Sequence, residues 1–337
     1  MDIKMGIKKV TSREDLTREE MIDVMNEIME GKATDAQIAG FLIALKMKGE
    51  TIEEITGAAT VMREKSLKIY PEKEILLDTC GTGGDNLGTI NISTAVAFVA
   101  AAAGISVAKH GNRSVSSKSG SADVLEALGV NLSITPEKVE ESIKKVGIGF
   151  LFALTHHKSM KYAIGPRRQL GVRTIFNVLG PLTNPANAEY QLMGVYSKDL
   201  VEPIANVLNN LGIKRAMVVH GEDGLDEITT TGKTFVGEVN NGEVKTYSIN
   251  IEDYFEKNSV EDLKGEDAKY NGEVIKNILS GKEKGAKRNI IIINSAAVLF
   301  ITGLVNDLKS GIKKAEEILD SGKALNKLNE YVKFTNS

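Results

Sequence analysis

Two short stretches of the chain combine glycines with charged and hydroxyl side chains, and they are the strongest candidates for chemistry. The first, from Asp78 to Asp85, has the sequence DTCGTGGD, and the second runs from Lys109 to Asp123. Glycines let the backbone approach an anion closely and point its N–H groups at anionic oxygens. Lys109 and Arg113 supply positive charge, and the serines of the second stretch supply hydrogen-bond donors. Together the two stretches predict a cradle for a phosphorylated ligand.

A third candidate, Asn91-Ile92-Ser93-Thr94, lies at the predicted start of a helix. The hydroxyl of Ser93 or Thr94 would serve as an N-cap there. The unpaired N–H groups and the dipole of a helix N-terminus also favour a bound phosphate. The two roles are compatible, and the sequence leaves both open.

Asp226 and Glu227 are adjacent acids in a loop that follows a predicted strand, Ala216–Val219. Exposed acidic pairs are usually only solvated, and Glu222 and Asp223 lie close by in the same loop. The position beyond a strand end, where the other candidates converge, nevertheless favours a metal site. Mg²⁺ prefers hard carboxylate oxygens and commonly bridges a protein and the phosphates of its substrate.

The first glycine-rich stretch matches neither of the common nucleotide-binding patterns. No Gly-Lys-Ser/Thr follows its glycines, and their spacing is not Gly-x-Gly-x-x-Gly. A tight turn of no chemical interest between a strand and a helix is therefore the alternative. Cys80, the one cysteine of the chain, lies in this stretch. No neighbouring residue favours its thiolate, so we interpret it as a small residue packed beside a strand end rather than as a nucleophile.

Roughly the first seventy residues contain only helical patterns. Capping boxes predict the starts of three helices, at Thr17 with Glu20, Thr34 with Gln37, and Thr51 with Glu54. The helix after Thr34 is apolar nearly all round. That pattern indicates burial between other helices or at a subunit interface.

From Pro71 onward, short apolar strands alternate with helices. The predicted strands are Ile75–Asp78, Ile105–Ala108, Ile148–Leu154, Gln191–Tyr196, Ala216–Val219 and Ile290–Ile293, the last one leading into a buried helix. The predicted helices include Ser93–Ala103, Ser121–Leu128 and Leu200–Leu211. This alternation predicts a mainly parallel sheet covered by helices on both faces. Thr234–Ile249, with Asn-Asn-Gly at its centre, predicts a hairpin appended to the sheet.

The bulk composition excludes few functions but weighs against some. The chain has 337 residues, a formal net charge of −3 and a pI of about 6.0. A dedicated nucleic-acid-binding protein usually has a basic surplus, so that class is disfavoured. The single cysteine excludes an intrachain disulfide and fits a reducing compartment. The first residues lack the continuous apolar stretch of a secretory signal, so we expect a cytoplasmic location.

Taken together, the motifs resemble those of the anthranilate phosphoribosyltransferase family. Five segments follow the family's order and spacing over nearly the whole chain: Asp78–Asp85, Asn91–Thr94, Lys109–Asp123, Arg167–Pro185 (RRQLGVRTIFNVLGPLTNP), and Asp226-Glu227 after His220-Gly221. One such motif alone would carry little weight. Five motifs in the same order and spacing are specific evidence for the family.

The resemblance implies an α/β fold, with a small all-helical domain and a larger domain whose mainly parallel central sheet is flanked by helices. Residues 1–72, joined by a returning segment near 162–192, would form the helical domain. Residues 73–161 and 193–337 would form the phosphoribosyl-binding domain, with the substrate site in the cleft between the two. The implied reaction transfers the 5-phosphoribosyl group of 5-phosphoribosyl-1-pyrophosphate to the amine of anthranilate, in tryptophan biosynthesis. Mg²⁺, as two ions, and a homodimer are implied as well.

The resemblance also implies roles for individual residues. Contacts to the phosphoribosyl substrate are implied for Gly81, Gly83, Gly84, Asp85, Thr89, Asn91, Ser93, Thr94, Lys109, Ser117 and Ser121. Asn112 and Arg167 would contact anthranilate, Arg167 through the carboxylate. Ser93, Asp226 and Glu227 would hold the metal. His110 is assigned to positioning, because departure of pyrophosphate needs little help from a proton. No residue is assigned as a catalytic acid or base, and His156 and His157 receive no role.

Two other functions fit parts of the sequence. Pyrimidine nucleoside phosphorylases share the implied fold and a related Lys-His-Gly segment, but the continuation Asn112–Ser117 and the pair Asp226-Glu227 favour the transferase. A non-catalytic relative that binds nucleic acid is disfavoured by the acidic pI and by the intact acidic pair.

Overall fold

The structure, a computed structural model, describes residues 1–114 and 118–337. Within these residues seven strands form a single sheet. The strands are β1 (Leu76–Gly81), β2 (Ser106–Gly111), β3 (Ile148–Phe152), β4 (Tyr190–Gly194), β5 (Arg215–Gly221), β6 (Lys233–Asn240) and β7 (Glu243–Asn250). The helices are α1 (Ile3–Thr11), α2 (Arg18–Met29), α3 (Asp35–Lys48), α4 (Ile52–Glu64), α5 (Ile92–Ala102), α6 (Ser121–Ala127), α7 (Pro136–Lys145), α8 (Ala153–His156), α9 (Lys161–Leu170), α10 (Phe176–Leu179), α11 (Val201–Asn210), α12 (Ala268–Leu279), α13 (Ala286–Ile301), α14 (Leu308–Asp320) and α15 (Lys323–Thr335).

The sheet has the order β3-β2-β1-β4-β5-β6-β7. Its first five members run parallel, and β6 and β7 are added antiparallel as a hairpin. Asn241 and Gly242 turn that hairpin with φ angles of 48° and 96°, which is the backbone that Asn-Gly favours between paired strands. The predicted fold class and the predicted hairpin are confirmed.

The N-terminal helices begin where their capping boxes predict. Thr17, Thr34 and Thr51 each accept a hydrogen bond from the backbone three residues on, and the Glu or Gln at that position returns one. The helices bury a core that includes Met21, Met25, Ile28, Phe41 and Leu42. This core continues without a break into α9–α11 and one face of the sheet.

The predicted strand Ile290–Ile293 is wrong, because these residues lie inside α13. All four isoleucines are buried, and α13 packs between α5 and α14 in the main core. A helix buried on every side is apolar on every side, so it lacks the periodicity that distinguishes helix from strand. Four β-branched residues in a row then favoured the incorrect assignment. Within the described residues, no helix combines the length and apolar character needed to cross a membrane.

Candidate active site

The candidate residues converge at one edge of the sheet. β1, β2, β4 and β5 are neighbouring parallel strands, so their carboxyl ends lie side by side. The first glycine-rich stretch follows β1, the second follows β2, and the acidic pair follows β5. Loops beyond the carboxyl ends of parallel strands are the usual place for a ligand in such sheets.

The acidic loop directly touches the first glycine-rich stretch. The backbone N–H of Gly83 donates to Oδ2 of Asp226 at 2.8 Å. A Cβ atom on Gly81 would lie 2.5 Å from the same oxygen, and one on Gly194 would overlap the backbone carbonyl of Asp226. Glycine is therefore required at both strand ends for the loop to pass so closely. The neighbouring Asp223 instead accepts from the hydroxyls of Thr229 and Thr231, both at 2.6 Å, and organises the turn.

Three carboxylates crowd together at this edge, and we refer to Asp85, Asp226 and Glu227 as the acidic cluster. Burial, together with the nearby charge of Asp85, raises the pKa of Asp226 to about 7. Burial and the charge of Asp226 raise the pKa of Glu227 well above its usual value. Burial also raises the pKa of Asp85. Crowded carboxylates with raised pKa values are typical of functional sites, and a bound cation would favour their ionised forms.

Lys109 lies beside the acidic cluster, at the end of β2. Its side chain is 3% exposed, and its ammonium group donates to the carbonyl of Thr79 and, at 3.1 Å, to the hydroxyl of Ser93. Burial lowers the pKa of Lys109, while the charges of Asp78 and Glu227 oppose that effect. The lysine is therefore a buried, oriented cation rather than a solvated surface residue.

The N-terminus of α5 has a different cap from the one predicted. The N-cap is Asn91, whose side chain makes no capping hydrogen bond, so the predicted caps Ser93 and Thr94 are wrong. The Ser93 hydroxyl instead accepts from Lys109, and the buried Thr94 hydroxyl has no partner among the described residues. The backbone of Ser93 also lies near Glu227 and favours the ionised form of that carboxyl. Without a side-chain cap, this helix end keeps donors for an anion.

The described residues of the second stretch bond to one another across the start of α6. The hydroxyl of Ser121 donates to the carbonyl of Asn112 at 3.2 Å, while the Asn112 side chain is exposed. Arg113 forms a bidentate ion pair with Glu126 and also reaches Asp123, so its charge is already balanced within the protein. The predicted contact Ser117 lies outside the described residues.

Two arginines of the returning segment have distinct surroundings. Arg167 on α9 lies 5.1 Å from the centre of the Phe176 ring, and burial lowers its pKa. Within the described residues no carboxylate pairs with it. Arg173 donates to the carbonyl of Gly84 and stacks at 4.2 Å on the ring of Tyr196. Arg173 thus links the returning segment to the glycine-rich loop, and Arg167 is the arginine left for a ligand.

His110 is held by protein groups on both ring nitrogens. Its Nδ1 lies 3.1 Å from the carbonyl oxygen of Gly180, and its Nε2 lies 3.2 Å from Nε2 of His157. A carbonyl only accepts, so Nδ1 of His110 carries the proton, and its Nε2 faces the ring of His157 without one. Burial and the neighbouring histidines lower the pKa of His110 well below its usual value. These contacts support positioning over proton transfer.

A set of buried side chains attaches the segment Gly180–Asn184 to the strands, and we refer to it as the polar network. Asp78 accepts from the backbone N–H of His110 at 3.0 Å and from Nδ2 of Asn184 at 2.8 Å. Asn184 also donates to the carbonyl of Ala108 at 2.8 Å, and Gln191 donates to that of Pro181 at 2.7 Å. Burial raises the pKa of the neighbouring Cys80 thiol well above its usual value, so a structural role is favoured for it.

Known proteins match the chain over almost its entire length. Residues 73–325 match the model of a glycosyl transferase family described as its a/b domain, and residues 6–66 match the model of the helical bundle domain. The anthranilate phosphoribosyltransferase of Acetivibrio thermocellus is 59% identical over 99% of this chain and 97% of that protein. The chain belongs to the anthranilate phosphoribosyltransferase family. It is accordingly an enzyme of the glycosyltransferase class.

Further members of the family agree with this assignment. The anthranilate phosphoribosyltransferase of Petrotoga mobilis is 57% identical over 98% of this chain and 96% of that protein. The crystal structure of the enzyme from Thermus thermophilus superposes with a TM-score of 0.94 at 42% identity, covering 98% of this chain and 99% of that one. The structure of the Saccharomyces cerevisiae enzyme, in complex with PRPP and Mg, has a TM-score of 0.88 at 28% identity, covering 99% of this chain and 98% of that one.

The acidic cluster suits the metal named for the yeast member of the family. Among the described residues, no three or more His, Cys, Asp or Glu side chains are grouped so that they would hold a metal ion by themselves. Mg²⁺ is commonly bound through one or two carboxylates together with substrate phosphates and waters. Hard oxygen donors of raised pKa beside a phosphate cradle fit that mode of binding.

The sequence analysis assigns no role to Asn184 in the polar network, although it lies in the segment Arg167–Pro185, or to Asn271 on α12. Asn184 is 3% exposed and Asn271 is 1% exposed. A lone asparagine in a sequence resembles any surface residue, so only its burial reveals a role. The signal available in the sequence, Asn184 within Leu-Thr-Asn-Pro, predicts a turn and not a buried ligand for Asp78.

Proposed function

We propose that this protein transfers the 5-phosphoribosyl group of 5-phosphoribosyl-1-pyrophosphate to the amine of anthranilate, with release of pyrophosphate, in tryptophan biosynthesis. The observation that carries the proposal is the convergence, at one edge of the sheet, of a glycine-rich loop, an uncapped helix N-terminus, Lys109 and the acidic cluster. Arg167, a half-buried guanidinium for which the described residues supply no acid, adds a site for the acceptor's carboxylate.

The reaction needs charge stabilisation and orientation more than proton transfer. The bond from the anomeric carbon to pyrophosphate breaks, and its electron pair departs with pyrophosphate. The amine nitrogen of anthranilate forms the new bond to that carbon. The amine then loses a proton to solvent. Lys109 and the N–H groups of Gly84 and the α5 N-terminus stabilise the charge that develops on pyrophosphate. The aromatic amine is neutral at pH 7, so the protein accelerates its attack mainly by holding it in line. No covalent enzyme intermediate is required.

The metal role belongs to Ser93, Asp226 and Glu227. When bound, Mg²⁺ neutralises part of the negative charge on the pyrophosphate. We propose two ions, as the resemblance to the family implies. Thr89, Asn91, Thr94 and Ser121 complete the cradle in this proposal, as does Ser117, and Asn112 contacts anthranilate.

In this proposal each of the two domains binds one of the two substrates. Residues 1–72 and the segment 162–192 bring Arg167 to the acceptor, while residues 73–161 and 193–337 hold the phosphoribosyl group. The bond from Arg173 to the carbonyl of Gly84 supports a cleft between these parts, since it joins the returning segment to the phosphate loop. His110 keeps that segment in place through Gly180.

We also propose a homodimer and a cytoplasmic location. α3 is rich in apolar residues on its outer side as well, where Met47 is 71% exposed, and Met5 on the adjacent α1 is 56% exposed. A second copy of this face is the natural cover for such a surface. Light scattering that gives the mass of one chain would exclude the dimer. A single buried cysteine and phosphorylated, non-permeant substrates support the cytoplasm.

The activity is tested by the fluorescence of anthranilate. When purified protein is mixed with anthranilate, 5-phosphoribosyl-1-pyrophosphate and Mg²⁺, the fluorescence of anthranilate should decrease. Leaving out either 5-phosphoribosyl-1-pyrophosphate or Mg²⁺ should abolish this decrease. Turnover of a pyrimidine nucleoside with inorganic phosphate, in place of anthranilate turnover, would favour the phosphorylase instead.

The acceptor site is tested with Arg167. Arg167→Ala should raise the KM for anthranilate by about 10- to 100-fold, since a charge-assisted bidentate contact contributes roughly 1.5–3 kcal/mol, with a smaller effect on phosphoribosyl pyrophosphate. Arg167→Lys should rescue only part of the loss, because an ammonium cannot reproduce the two-pronged contact. Aniline, which lacks the carboxylate, should discriminate little between parent and Arg167→Ala. The exposed neighbour Arg168, changed to Ala, is the matched control. Equal losses with anthranilate and aniline would refute the assignment.

A further inference from the structure

A chain of hydrogen bonds runs from α12 to the N-cap of α5. The backbone N–H of Glu266 donates to Oδ1 of Asn271 at 2.9 Å. Nδ2 of Asn271 donates to Oδ1 of Asn91 at 3.1 Å, and Nδ2 of Asn91 donates to the backbone carbonyl of Ser119 at 3.1 Å. The hydroxyl of Ser119 also donates to Oδ1 of Asn91, at 3.2 Å. The chain therefore joins three segments that meet at the phosphate cradle.

The two ends of this chain fix the direction of every bond in it. A backbone N–H only donates, so Glu266 must face the oxygen of the Asn271 amide. The side-chain nitrogen of Asn271 then donates to Asn91, so the side-chain oxygen of Asn91 must be the acceptor. At the far end the carbonyl of Ser119 only accepts, so it requires the nitrogen of Asn91. Both amides are thereby held in one of their two flipped orientations, and neither can turn without creating two repulsive contacts.

This orientation determines what Asn91 offers to a ligand. Its oxygen is used by Asn271 and Ser119, and one of its two N–H bonds is used by the Ser119 carbonyl. The second N–H has no acceptor among the described residues, and it belongs to the N-cap of a helix whose end lacks a side-chain cap. The hydroxyl of Thr94, 1% exposed and without a described partner, lies one turn further along the same helix end. A donor facing a phosphate is favourable, whereas a flipped amide would present an oxygen to it.

The segment that carries Asn271 is bonded closely to the loop that leads into α5. The N–H of Gly265 donates to the carbonyl of Gly88 at 2.8 Å, and the N–H of Ile90 donates to the carbonyl of Leu263 at 3.2 Å. A Cβ atom on Gly265 would lie 2.5 Å from Oδ1 of Asn271 and 2.9 Å from the carbonyl of Thr89. The close approach that brings Asn271 to Asn91 thus depends on a glycine.

We infer that Asn271 is a positioning residue for the phosphoribosyl substrate: it sets the amide orientation of Asn91, so that the N-cap of α5 presents an N–H donor to the phosphate group. The inference rests on the proposed function for the identity of the substrate. Asn271 itself contacts no reacting atom and acts through Asn91.

Replacing Asn271 by Asp tests the direction of the bonds at almost constant shape. A carboxylate has only acceptors, so it still pairs with Glu266 but opposes the oxygen of Asn91. Asn271→Asp should raise the KM for phosphoribosyl pyrophosphate by at least about tenfold and leave the KM for anthranilate within about twofold. Asn271→Ala removes the pairing without reversing it, and the KM should rise less. Asn277→Asp adds the same charge at an exposed position of α12 and should leave both KM values unchanged.

Binding measured without turnover separates this inference from the proposed function. Titration calorimetry with phosphoribosyl pyrophosphate and Mg²⁺ should show the same order of affinity: parent, then Asn271→Ala, then Asn271→Asp. If the affinities follow that order but the parent protein does not consume anthranilate, the positioning role of Asn271 is upheld and anthranilate is rejected as the acceptor substrate. Two variants that bind phosphoribosyl pyrophosphate as the parent does, with only a lower Tm, would overturn the inference. Equal increases in KM for both substrates would overturn it as well.

Discussion

Asp78 is fully buried and Asp226 is partly buried near the same edge of the sheet, and burial raises the pKa of each, but their neighbours differ. Around Asp78, the N–H of His110 and the amide of Asn184 donate to the carboxylate. Around Asp226, the N–H of Gly83 donates, but Asp85 adds a second negative charge. The polar network satisfies its acid with protein donors, while the acidic cluster brings three acids together beside a single lysine.

This difference separates groups that stabilise the fold from groups that await a ligand. A buried carboxylate with hydrogen-bond donors contributes to one rigid arrangement, and losing a donor leaves a buried charge without a partner. Acids that repel one another destabilise the protein that contains them, and a bound cation relieves the repulsion. Substitutions in the polar network should therefore lower stability, whereas substitutions in the acidic cluster should lower activity alone.

The largest effect is expected from Asp226→Asn combined with Glu227→Gln. We expect kcat to fall by about 1,000-fold or more, because charge stabilisation at the leaving group often contributes 10²- to 10³-fold per interaction. The free energy of unfolding without Mg²⁺ should stay the same or increase, since the repulsion is gone and Asn keeps an acceptor for the N–H of Gly83. Anthranilate fluorescence and urea unfolding measure the two quantities.

Glu222→Gln is the control for that prediction, because Glu222 is an exposed acid in the same loop. It removes one negative charge without touching the acidic cluster, and both kcat and stability should match the parent. A loss of kcat in the double variant that is accompanied by an equal loss of folded protein would show that the cluster is structural.

The next effect is expected from Asn184→Ala, in the polar network. The substitution leaves Oδ2 of Asp78 and the carbonyl of Ala108 without the donor they share. An unpaired buried carbonyl costs about 1–3 kcal/mol and a lost bond to a charged group about 1.5–3 kcal/mol, so a total of roughly 3–5 kcal/mol is expected in urea unfolding. Asn206→Ala, on the outer side of α11, should change stability by less than about 0.5 kcal/mol. Similar losses from both variants would remove the distinction between the two regions.

The acidic cluster can be predicted from the sequence more readily than the polar network. Glycines, a lysine and adjacent acids at strand ends are unusual together, and the parallel sheet brings them to one edge. Gly83, Lys109, Ser93 and Asp226 accordingly meet as the sequence predicts. The starts of three helices were equally predictable, because each capping box is a local hydrogen-bond pattern.

The parts that the sequence did not reveal depend on contacts between distant residues. Asn184 bonds to Asp78 across 106 positions, and Asn271 bonds to Asn91 across 180. No local pattern encodes such a pair. The isoleucines of α13 were misassigned for a related reason, since burial on all sides by other elements removes the polar face that marks a helix. The cap of α5 was misassigned because Ser93 bonds to Lys109 from another strand.

The smallest expected effect is on the pH dependence of stability, and it arises from histidines next to the polar network. Burial, chiefly, and the charge of His156 lower the pKa of His157 from 6.5 to about 4, and Lys68 acts in the same direction. His157 also meets the ring of His110, whose pKa is lowered as well. A histidine that resists protonation when folded is protonated more readily when unfolded. Stability is therefore fully present above pH 6.5 and is lost as pH falls toward 4.

The expected size follows from the separation of the two pKa values. A group with a pKa of about 4 when folded and 6.5 when unfolded lowers the free energy of unfolding by about 2 kcal/mol between pH 8 and pH 5. His157→Gln keeps an amide donor for His110 but cannot titrate, so urea unfolding of this variant should lose about 2 kcal/mol less than the parent over that range. Comparing each protein with itself at pH 8, where both histidines are neutral, removes any loss due to packing. Parallel pH profiles for parent and variant would mean that His157 takes up its proton as readily in the folded protein as in the unfolded chain, and that the network leaves it open to water.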